Sequence, residues 1–308
     1  MSVRRLIAVA LAVLLLVAGC TRGGSGTADV QVGGDPGALP TVRFPVPLAV
    51  TTPSSTVVWA GTGSTLVEGK PVLIDYLLEN ASTGAVVAES YGSSPKPYLL
   101  TKESLGADLF EALRGQRVGA RIVQETPASA AGGMAFPTVI VMDVLATRAE
   151  GDPVPARPGM PTVTLAADGA PTITATSGAP PTDLTVVPLI KGTGDQVPAD
   201  AQVTVQYTEV DWATGAVVDS TWTSGMPVSF SLAGLGAWSQ GLVEQTIGSQ
   251  VMVVVPPSFG LGGPKGSELQ NATLVFVVDI LAATGPGTAP SPSVTPAPSA
   301  APSSSPTS

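Results

Sequence analysis

The feature that most constrains the fold of this chain is an internal repeat. The segment TGAVV at residues 83–87 recurs at residues 214–218, an offset of 131. The segment GTG at 61–63 recurs at 192–194, and Tyr76 recurs as Tyr207, both with the same offset. Three identical offsets seldom arise by chance. We therefore interpret the 308-residue chain as two copies of one domain of about 95 residues.

Changes in the offset locate the length differences between the copies. Val118-Gly119 matches Ile247-Gly248 at an offset of 129, and the last strand, 143–145, matches 279–281 at an offset of 136. The second copy is therefore two residues shorter in its middle and seven longer before its last strand. The extra residues fall in the glycine-rich segment 258–272, which predicts an extended loop. We interpret Asp143 and Asp279, within apolar final strands, as structural.

The pattern of the second copy predicts short β-strands and one helix. Apolar, alternating or β-branched runs predict five strands, at 203–207, 216–219, 227–232, 250–255 and 273–281. The stretch 238–246, followed by Gly248, is the one helix candidate. Many strands and one short helix predict an α+β fold in which the helix packs on one face of a sheet.

The first 20 residues are typical of an export signal. Arg4 and Arg5 precede an apolar stretch, 6–18, that is short for a membrane span and suits a signal peptide. The stretch ends at Cys20, the only cysteine, and its VAGC ending resembles the bacterial lipobox. That resemblance implies a diacylglyceryl group on Cys20 and cleavage before it. The alternative is an ordinary secretory signal with a chance cysteine.

Composition and the repeat together divide the chain into six parts. Gly-, Thr- and Pro-rich stretches predict linkers, and the uncharged Pro/Ser/Thr-rich end predicts a disordered tail. The predicted parts are a signal peptide (1–19), a flexible tether (20–52), a first domain (53–148), a linker (149–162), a second domain (163–283) and a tail (284–308).

The residue inventory excludes much enzyme chemistry. The chain has no histidine and one cysteine, which excludes Ser-His-Asp and Cys-His nucleophiles, His-bearing zinc sites and intramolecular disulfides. Fourteen Lys and Arg against 23 Asp and Glu leave a net charge of −9 with no basic block, which argues against a nucleic-acid partner. We expect no cofactor and no metal.

Four segments of the second copy stand in a specific order. They are VTVQYTEVDWATGAVVDSTW (203–222), LGAWSQGLVEQTIGSQV (235–251), VVPPSFGLGG (254–263) and ATLVFVVDIL (272–281). Taken together, they resemble the FKBP-type peptidyl-prolyl cis-trans isomerases. The resemblance implies a curved antiparallel sheet wrapped around one short helix, with a pocket between them, and activity on X-Pro bonds. The first copy resembles the same family more weakly over 57–146.

The resemblance assigns the site position by position. It implies that Tyr207 is a pocket aromatic, that Asp219 is a hydrogen-bonding carboxylate and that Trp238 is the pocket floor. It implies that the Leu235 amide binds the substrate carbonyl and that Phe276 lines the pocket. Three substrate-contact positions depart from the family's aromatic residues: Val218, Val228 and Leu261.

The first copy departs further from the family. Leu109 stands where the floor tryptophan is expected and Ala88 where the aspartate is expected, and the loop is truncated. We expect this copy to be catalytically silent, as a spacer or a module that holds substrate.

Two functions of different classes follow from the resemblance. The leading one is a monomeric, extracytoplasmic isomerase that acts on proline-containing exported polypeptides. A lipid on Cys20 would anchor it to the outer face of the cell membrane. The alternative is a non-catalytic peptide- or protein-binding lipoprotein, which the three departures favour. A purely structural surface protein is a third hypothesis, against which the retained Tyr207, Asp219 and Trp238 argue.

Overall fold

The structure is a computed structural model that describes residues 29–129, 133–175 and 178–286. The predicted signal peptide with Cys20, and the tail from residue 287 onward, lie outside the described residues. Among the residues that are described, no helix is long and apolar enough to cross a membrane.

The first half of the chain forms a hairpin, a six-stranded antiparallel sheet and two short helices. The hairpin is β1 (Gln31–Gly33) and β2 (Thr41–Arg43). The sheet contains β3 (Ser54–Trp59), β4 (Pro71–Asn80), β5 (Val86–Glu89), β6 (Lys96–Leu99), β7 (Arg121–Thr126) and β8 (Thr138–Leu145). Its order is β3-β7-β8-β4-β5, with β6 also paired to β4. Between β6 and β7 lie α1 (Lys102–Leu105) and α2 (Ala107–Leu113).

The second half repeats this arrangement with one more strand and one α-helix. A short strand, β9 (Gly151–Pro153), precedes a hairpin formed by β10 (Thr162–Leu165) and β11 (Pro171–Thr174). The remaining elements are β12 (Thr185–Gly192), β13 (Gln202–Asp211), β14 (Val217–Ser220), β15 (Val228–Ser231), α3 (Gly236–Leu242), β16 (Gln250–Val255) and β17 (Leu274–Thr284). The seven-stranded sheet has the order β14-β13-β17-β16-β12-β9, with β15 paired to β13.

Each sheet buries both of its faces. In β16, Val251, Val253 and Val255 pack on the side that faces α3, whereas Met252 and Val254 pack on the opposite side. A strand that is buried on both faces needs a continuous apolar run, which is the sequence of β16. The side that faces α3 is therefore one wall of any pocket between helix and sheet.

The opposite face of each sheet is covered by the preceding hairpin. Val32 and Val42 pack against β7 and β8 in the first half, and Val163 and Ile173 pack against the second sheet. The two hairpins are also related by the 131-residue offset, since Thr162 follows Gln31 and Thr174 follows Arg43 at that distance. The repeated structure thus begins before residue 53. Residues 31–43, predicted as flexible tether, form packed strands.

The repeated TGAVV segments form the turns before β5 and β14. Gly84 and Gly215 have φ angles of 71° and 70°, in the left-handed region that glycine adopts without steric cost. The Asp211 carboxylate accepts a hydrogen bond from the Thr214 amide at 2.7 Å, which fixes the second turn. The repeated TGAVV segment therefore reflects a backbone requirement of the turns that join β4 to β5 and β13 to β14.

The observed elements correct the predicted fold class in one respect. The described residues are mostly β-sheet with few helices, but those of the first half include two short helices, α1 and α2, where one per copy is predicted. The helix predicted at 238–246 begins two residues earlier and ends at Leu242, since Val243 leaves the helical conformation. The long loop predicted at 258–272 carries turns and one 3-10 turn, Pro257–Phe259, and no strand.

Candidate active site between helix α3 and the second sheet

An aromatic cluster fills the space between α3 and the sheet. The Trp238 ring lies 5.0 Å from Phe230, 5.0 Å from Phe276 and 5.6 Å from Tyr207 between ring centroids, with edge-to-face geometry in each pair. Tyr207 and Phe276 are 6.2 Å apart. Each such pair stabilises by about 0.5–1.5 kcal/mol beyond its buried area. Three edge contacts therefore fix the orientation of the indole.

A narrow apolar cleft opens beside this cluster. It is too narrow to hold a water molecule, and its lining contains no charged side chain. Helix, sheet and loop each contribute to the walls, so the cleft exists only where all three meet. Its lining residues are Ala237, Trp238, Val253, Val255, Leu261 and Phe276.

One polar pair stands next to the aromatic cluster. The Tyr207 hydroxyl donates to Asp219 Oδ2 at 2.5 Å, and the Ser220 amide donates to Oδ1 at 2.8 Å. Burial raises the pKa of Tyr207, and the bond to Asp219 raises it further, so the phenol keeps its proton at neutral pH. The Tyr207 amide donates to Thr221 Oγ1 at 2.9 Å, which aligns β14 with β13. Asp219 is exposed and can accept further hydrogen bonds.

The Leu235 amide already has a partner. Leu235 is the residue before α3, and its side chain is 39% exposed. Its N–H, predicted to bind the substrate carbonyl, donates to the Leu232 carbonyl oxygen at 3.1 Å. A substrate carbonyl would have to share or displace that bond. This geometry depends on the turn at 232–235, which residue type alone does not determine.

The three non-aromatic substitutions lie at different places around the cleft. Leu261 is part of the lining, whereas Val218 on β14 and Val228 on β15 lie outside it. All three side chains are between 38% and 39% exposed. The structure therefore brings Tyr207, Trp238, Phe276 and Leu261 together. Asp219 joins this group through its hydrogen bond with the Tyr207 hydroxyl. Val218 and Val228 are exposed apolar residues on two strands that both pair with β13.

Four residues at the site were not assigned from the sequence. Phe230 belongs to the aromatic cluster, and Ala237, Val253 and Val255 line the cleft. A signal for Phe230 was present, since it lies two residues after Val228 and therefore on the same face of β15. The same period-2 rule on β16 identifies Val253 and Val255.

The first half lacks most of this cluster. By the offsets of the repeat, Leu109 occupies the position of Trp238 and Ile140 that of Phe276, and both pack as half-buried core residues. Tyr76 is retained, but Ala88 stands in place of Asp219. The phenol of Tyr76 therefore has no carboxylate at the position where Tyr207 has one.

The cleft is suited to chemistry that needs no proton transfer or metal ligand. Its walls are hydrocarbon and aromatic, and the adjacent polar groups are a protonated phenol and a carboxylate. In the ranges that the structure describes, no group of three or more His, Cys, Asp or Glu side chains could hold a metal ion. When its walls separate, such a site can take up an apolar ring and hydrogen-bond the peptide groups beside it.

Comparisons with known proteins find relatives that match the second half of the chain. The sequence model of the FKBP-type peptidyl-prolyl cis-trans isomerases matches residues 194–281. A probable FK506-binding protein of Corynebacterium glutamicum is 36% identical over 109 residues, which cover 34% of this chain and 92% of that protein. The FK506-binding protein of Streptomyces anulatus is 31% identical over 111 residues, covering 34% and 90% respectively.

A solved structure, that of FkpA from Escherichia coli, is similar over 40% of this chain and 51% of its own, with 26% identity and a TM-score of 0.30. The two FK506-binding relatives are matched over nearly their full length. The match to the family's sequence model spans the residues that form the aromatic cluster. The chain therefore belongs, through this second half, to the FKBP-type peptidyl-prolyl cis-trans isomerase family.

Proposed function

We propose that the chain is a peptidyl-prolyl cis-trans isomerase and that the cleft beside Trp238 is its active site. The observation that carries this proposal is the indole floor, which is held by three rings and bordered by apolar side chains. A flat, dry wall of this kind fits the pyrrolidine ring of proline. The rings that hold the indole and the side chains that border it all lie within residues 194–281, the range that the family's sequence model matches.

The chemistry follows from the electronic structure of the amide. Rotation about an X-Pro bond crosses a barrier of about 18–20 kcal/mol, set by resonance. The twisted transition state has lost that resonance, and its carbonyl and nitrogen are less polar than in the planar amide. An apolar cleft therefore binds the twisted form better than the planar one, which lowers the barrier. No nucleophile or proton transfer is needed.

The residues around the cleft take separate roles. Trp238 and Phe276 contact the proline ring, and Leu261 closes the loop side. Asp219, oriented by the Tyr207 hydroxyl, accepts a hydrogen bond from the substrate backbone. The Leu235 amide exchanges its bond with Leu232 for one with the substrate carbonyl. Val218 and Val228 contact the residues that flank the proline.

The first copy has a different role in this proposal. Leu109, Ile140 and Ala88 leave it without the indole floor, the second ring or the carboxylate. It acts as a spacer or as a module that holds an unfolded substrate chain, and it does not catalyse isomerisation.

We further propose that the protein is exported and acts on proline-containing exported polypeptides as a monomer. The support is the sequence alone, in which the one cysteine follows an apolar signal stretch. A diacylglyceryl group on Cys20 would anchor the chain, with a second acyl chain making the attachment stable. A Cys20→Ser variant should leave the membrane fraction of the producing cells. Membrane association that persists in this variant would contradict the anchor.

The direct test of the activity is an isomerisation assay on a short X-Pro peptide with the full chain. We expect a rate above that of the uncatalysed reaction and proportional to protein concentration. A rate equal to the uncatalysed one would overturn the enzymatic proposal.

A non-catalytic peptide-binding module is the second candidate. The observation that favours it is the hydrogen bond from the Leu235 amide to Leu232, which occupies the donor expected for substrate. The two candidates differ in one measurement. Binding of the X-Pro peptide without acceleration of its isomerisation would select the binding module, and binding with acceleration would select the isomerase.

A further inference from the structure

The first sheet contains a fully buried guanidinium. Arg121, at the start of β7, has no exposed surface, and its Nε donates to Asp143 Oδ1 at 2.6 Å. Its carbon Cζ lies 4.5 Å from the centroid of the Trp59 ring. Its Nη2 also donates to Asp143 Oδ2, and its other N–H groups donate to carbonyl oxygens of the hairpin β1–β2 at 2.9–3.4 Å, those of Gly33, Gly34, Asp35 and Ala38.

The second sheet has the same acid, with glutamine in place of the arginine that pairs with it in register. Gln250 pairs in register with Asp279 as Arg121 pairs with Asp143, and Ile190 occupies the register position of Trp59. Asp279 is 1% exposed and accepts hydrogen bonds from Gln250 Nε2 and the Ala149 amide, both at 2.7 Å. Burial raises the pKa of Asp279 to about 6, against those two bonds and the charge of Arg148. Both hydrogen-bond donors to this carboxylate are neutral.

A cavity lies beside this carboxylate, under the hairpin β10–β11. It has a volume of about 270 Å³, and its walls include Asp279, Gln250 and Ile190. Leu165, Ala166 and Gly169 also line it, and by the 131-residue offset they correspond to three hairpin residues whose carbonyls bind Arg121. Arg121 and Trp59 are thus replaced by shorter side chains at the position where the second sheet has a cavity.

We propose that this cavity binds the guanidinium group of an arginine side chain presented by another polypeptide. The first sheet supplies the template, because there the same walls surround a guanidinium. A planar group with several donors matches one carboxylate and a row of carbonyl oxygens better than a point-charge ammonium does.

The charges at the cavity favour a cation. Asp279 and Glu150 are acidic, and Arg148 is the one basic residue in the lining. The Arg148 guanidinium donates to the Ala167 carbonyl oxygen at 2.9 Å, at the tip of the hairpin. Glu150 and Leu165 are exposed, so the cavity is reached from the surface. It lies on the sheet face opposite α3, and an arginine there leaves the aromatic cleft accessible.

The test uses the full chain and N-acetyl-arginine methylamide as the probe, with the citrulline analogue as an uncharged control of the same shape. Binding is measured by calorimetry and located by the amide shifts of Ala149, Gln250 and Gly169. We expect the arginine probe to bind about tenfold or more tightly than the citrulline probe, with shifts at these amides. Equal affinities, or shifts elsewhere only, would overturn the proposal.

Two variants distinguish this cavity from other acidic surfaces. Gln250→Arg supplies an internal guanidinium and should abolish probe binding while raising the midpoint of thermal unfolding. Asp279→Asn keeps the shape of the side chain and should weaken probe binding about tenfold. This second variant tests the site if Gln250→Arg does not fold. Unchanged affinity in a folded variant of either kind would contradict the site.

Discussion

At the scale of single residues, the hydrogen bond between Tyr207 and Asp219 distinguishes the second copy from the first. The hydroxyl of Tyr207 orients the carboxylate, whereas the equivalent Tyr76 has Ala88 opposite it. Tyr207→Phe should lower kcat/KM about fivefold, because one hydrogen bond of about 1 kcal/mol is lost. Tyr76→Phe makes the same chemical change in the first copy and should leave kcat/KM unchanged. Equal effects of the two substitutions on the isomerisation rate would contradict the assignment.

Glu209 should make stability depend on pH. It lies in register with Asp219 and Phe276, and burial, with a smaller contribution from Asp219, raises its pKa from 4.5 to about 7. Between these values the folded chain keeps the proton and the unfolded chain releases it. The free energy of unfolding therefore falls as the pH rises from about 4.5 to about 7.

Glu209→Gln should remove this contribution. Thermal unfolding at pH 4.5 and pH 8 is the measurement, and we expect the variant to gain stability relative to wild type at pH 8 only. Glu68→Gln, at an exposed position, controls for the loss of one charge. The other carboxyls with raised pKa values are present in both proteins and cancel in the difference. A gain that is the same at both pH values would show that charge on Glu209 is not the cause.

At the scale of elements, the loop between β16 and β17 positions Leu261. A side chain at Gly262 would place its Cβ in a clash with the Leu269 carbonyl oxygen, so the loop closes on itself only with glycine there. The Ser267 hydroxyl donates to the Gly262 carbonyl oxygen at 2.6 Å across the same closure. The wall that Leu261 gives to the cleft therefore depends on this loop.

Gly262→Ala should open the loop and displace Leu261. We expect kcat/KM to fall about tenfold, a loss of about 1.4 kcal/mol of transition-state binding, with a smaller change in thermal stability. Ser258→Ala, at an exposed position in the same loop, is the matched control. Retention of full activity by Gly262→Ala would mean that Leu261 is not part of the active site.

Strands buried on both faces were the predictable elements. β16 has the predicted bounds, 250–255. Its apolar, largely β-branched sequence is typical of a strand that is buried on both faces and fits few other environments. The hairpins β1–β2 and β10–β11 were not predicted. Their strands have three or four residues in Gly- and Pro-rich surroundings, and what stabilises them is packing of residues such as Val42 and Ile173 on a distant sheet.

The same distinction holds at the candidate site. The aromatic side chains Tyr207, Trp238 and Phe276 were identified because their types and spacing resemble a family. The pairing of the Leu235 amide with Leu232 could not be identified, since it is a property of a backbone turn. The exposed positions of Val218 and Val228 likewise depend on how β14 and β15 pair with β13.

At the scale of the whole molecule, the two copies of the repeat differ in what they contain. The first contains the buried Arg121–Asp143 ion pair, and the second contains the aromatic cleft beside Trp238. Arg121→Gln would leave Asp143 buried without a cation, at a cost of about 3–5 kcal/mol. Native-state hydrogen exchange of β7 and β8 should therefore accelerate, while isomerase activity stays unchanged. Asp143→Asn in addition should recover part of the lost protection. A parallel fall in isomerase activity would show that catalysis depends on the first sheet.

The measurement that tests the central claim most directly is kcat/KM of the full chain and of Trp238→Leu on one X-Pro peptide. Leucine is the residue that the first copy has at this position, Leu109, so the change is one that the fold accommodates. If the indole floor of the second copy is the site of isomerisation, the variant should lose about tenfold or more in kcat/KM. It should stay folded with a lower midpoint of thermal unfolding, because the three ring contacts of Trp238 are lost. Wild-type activity in a folded Trp238→Leu variant would contradict the account.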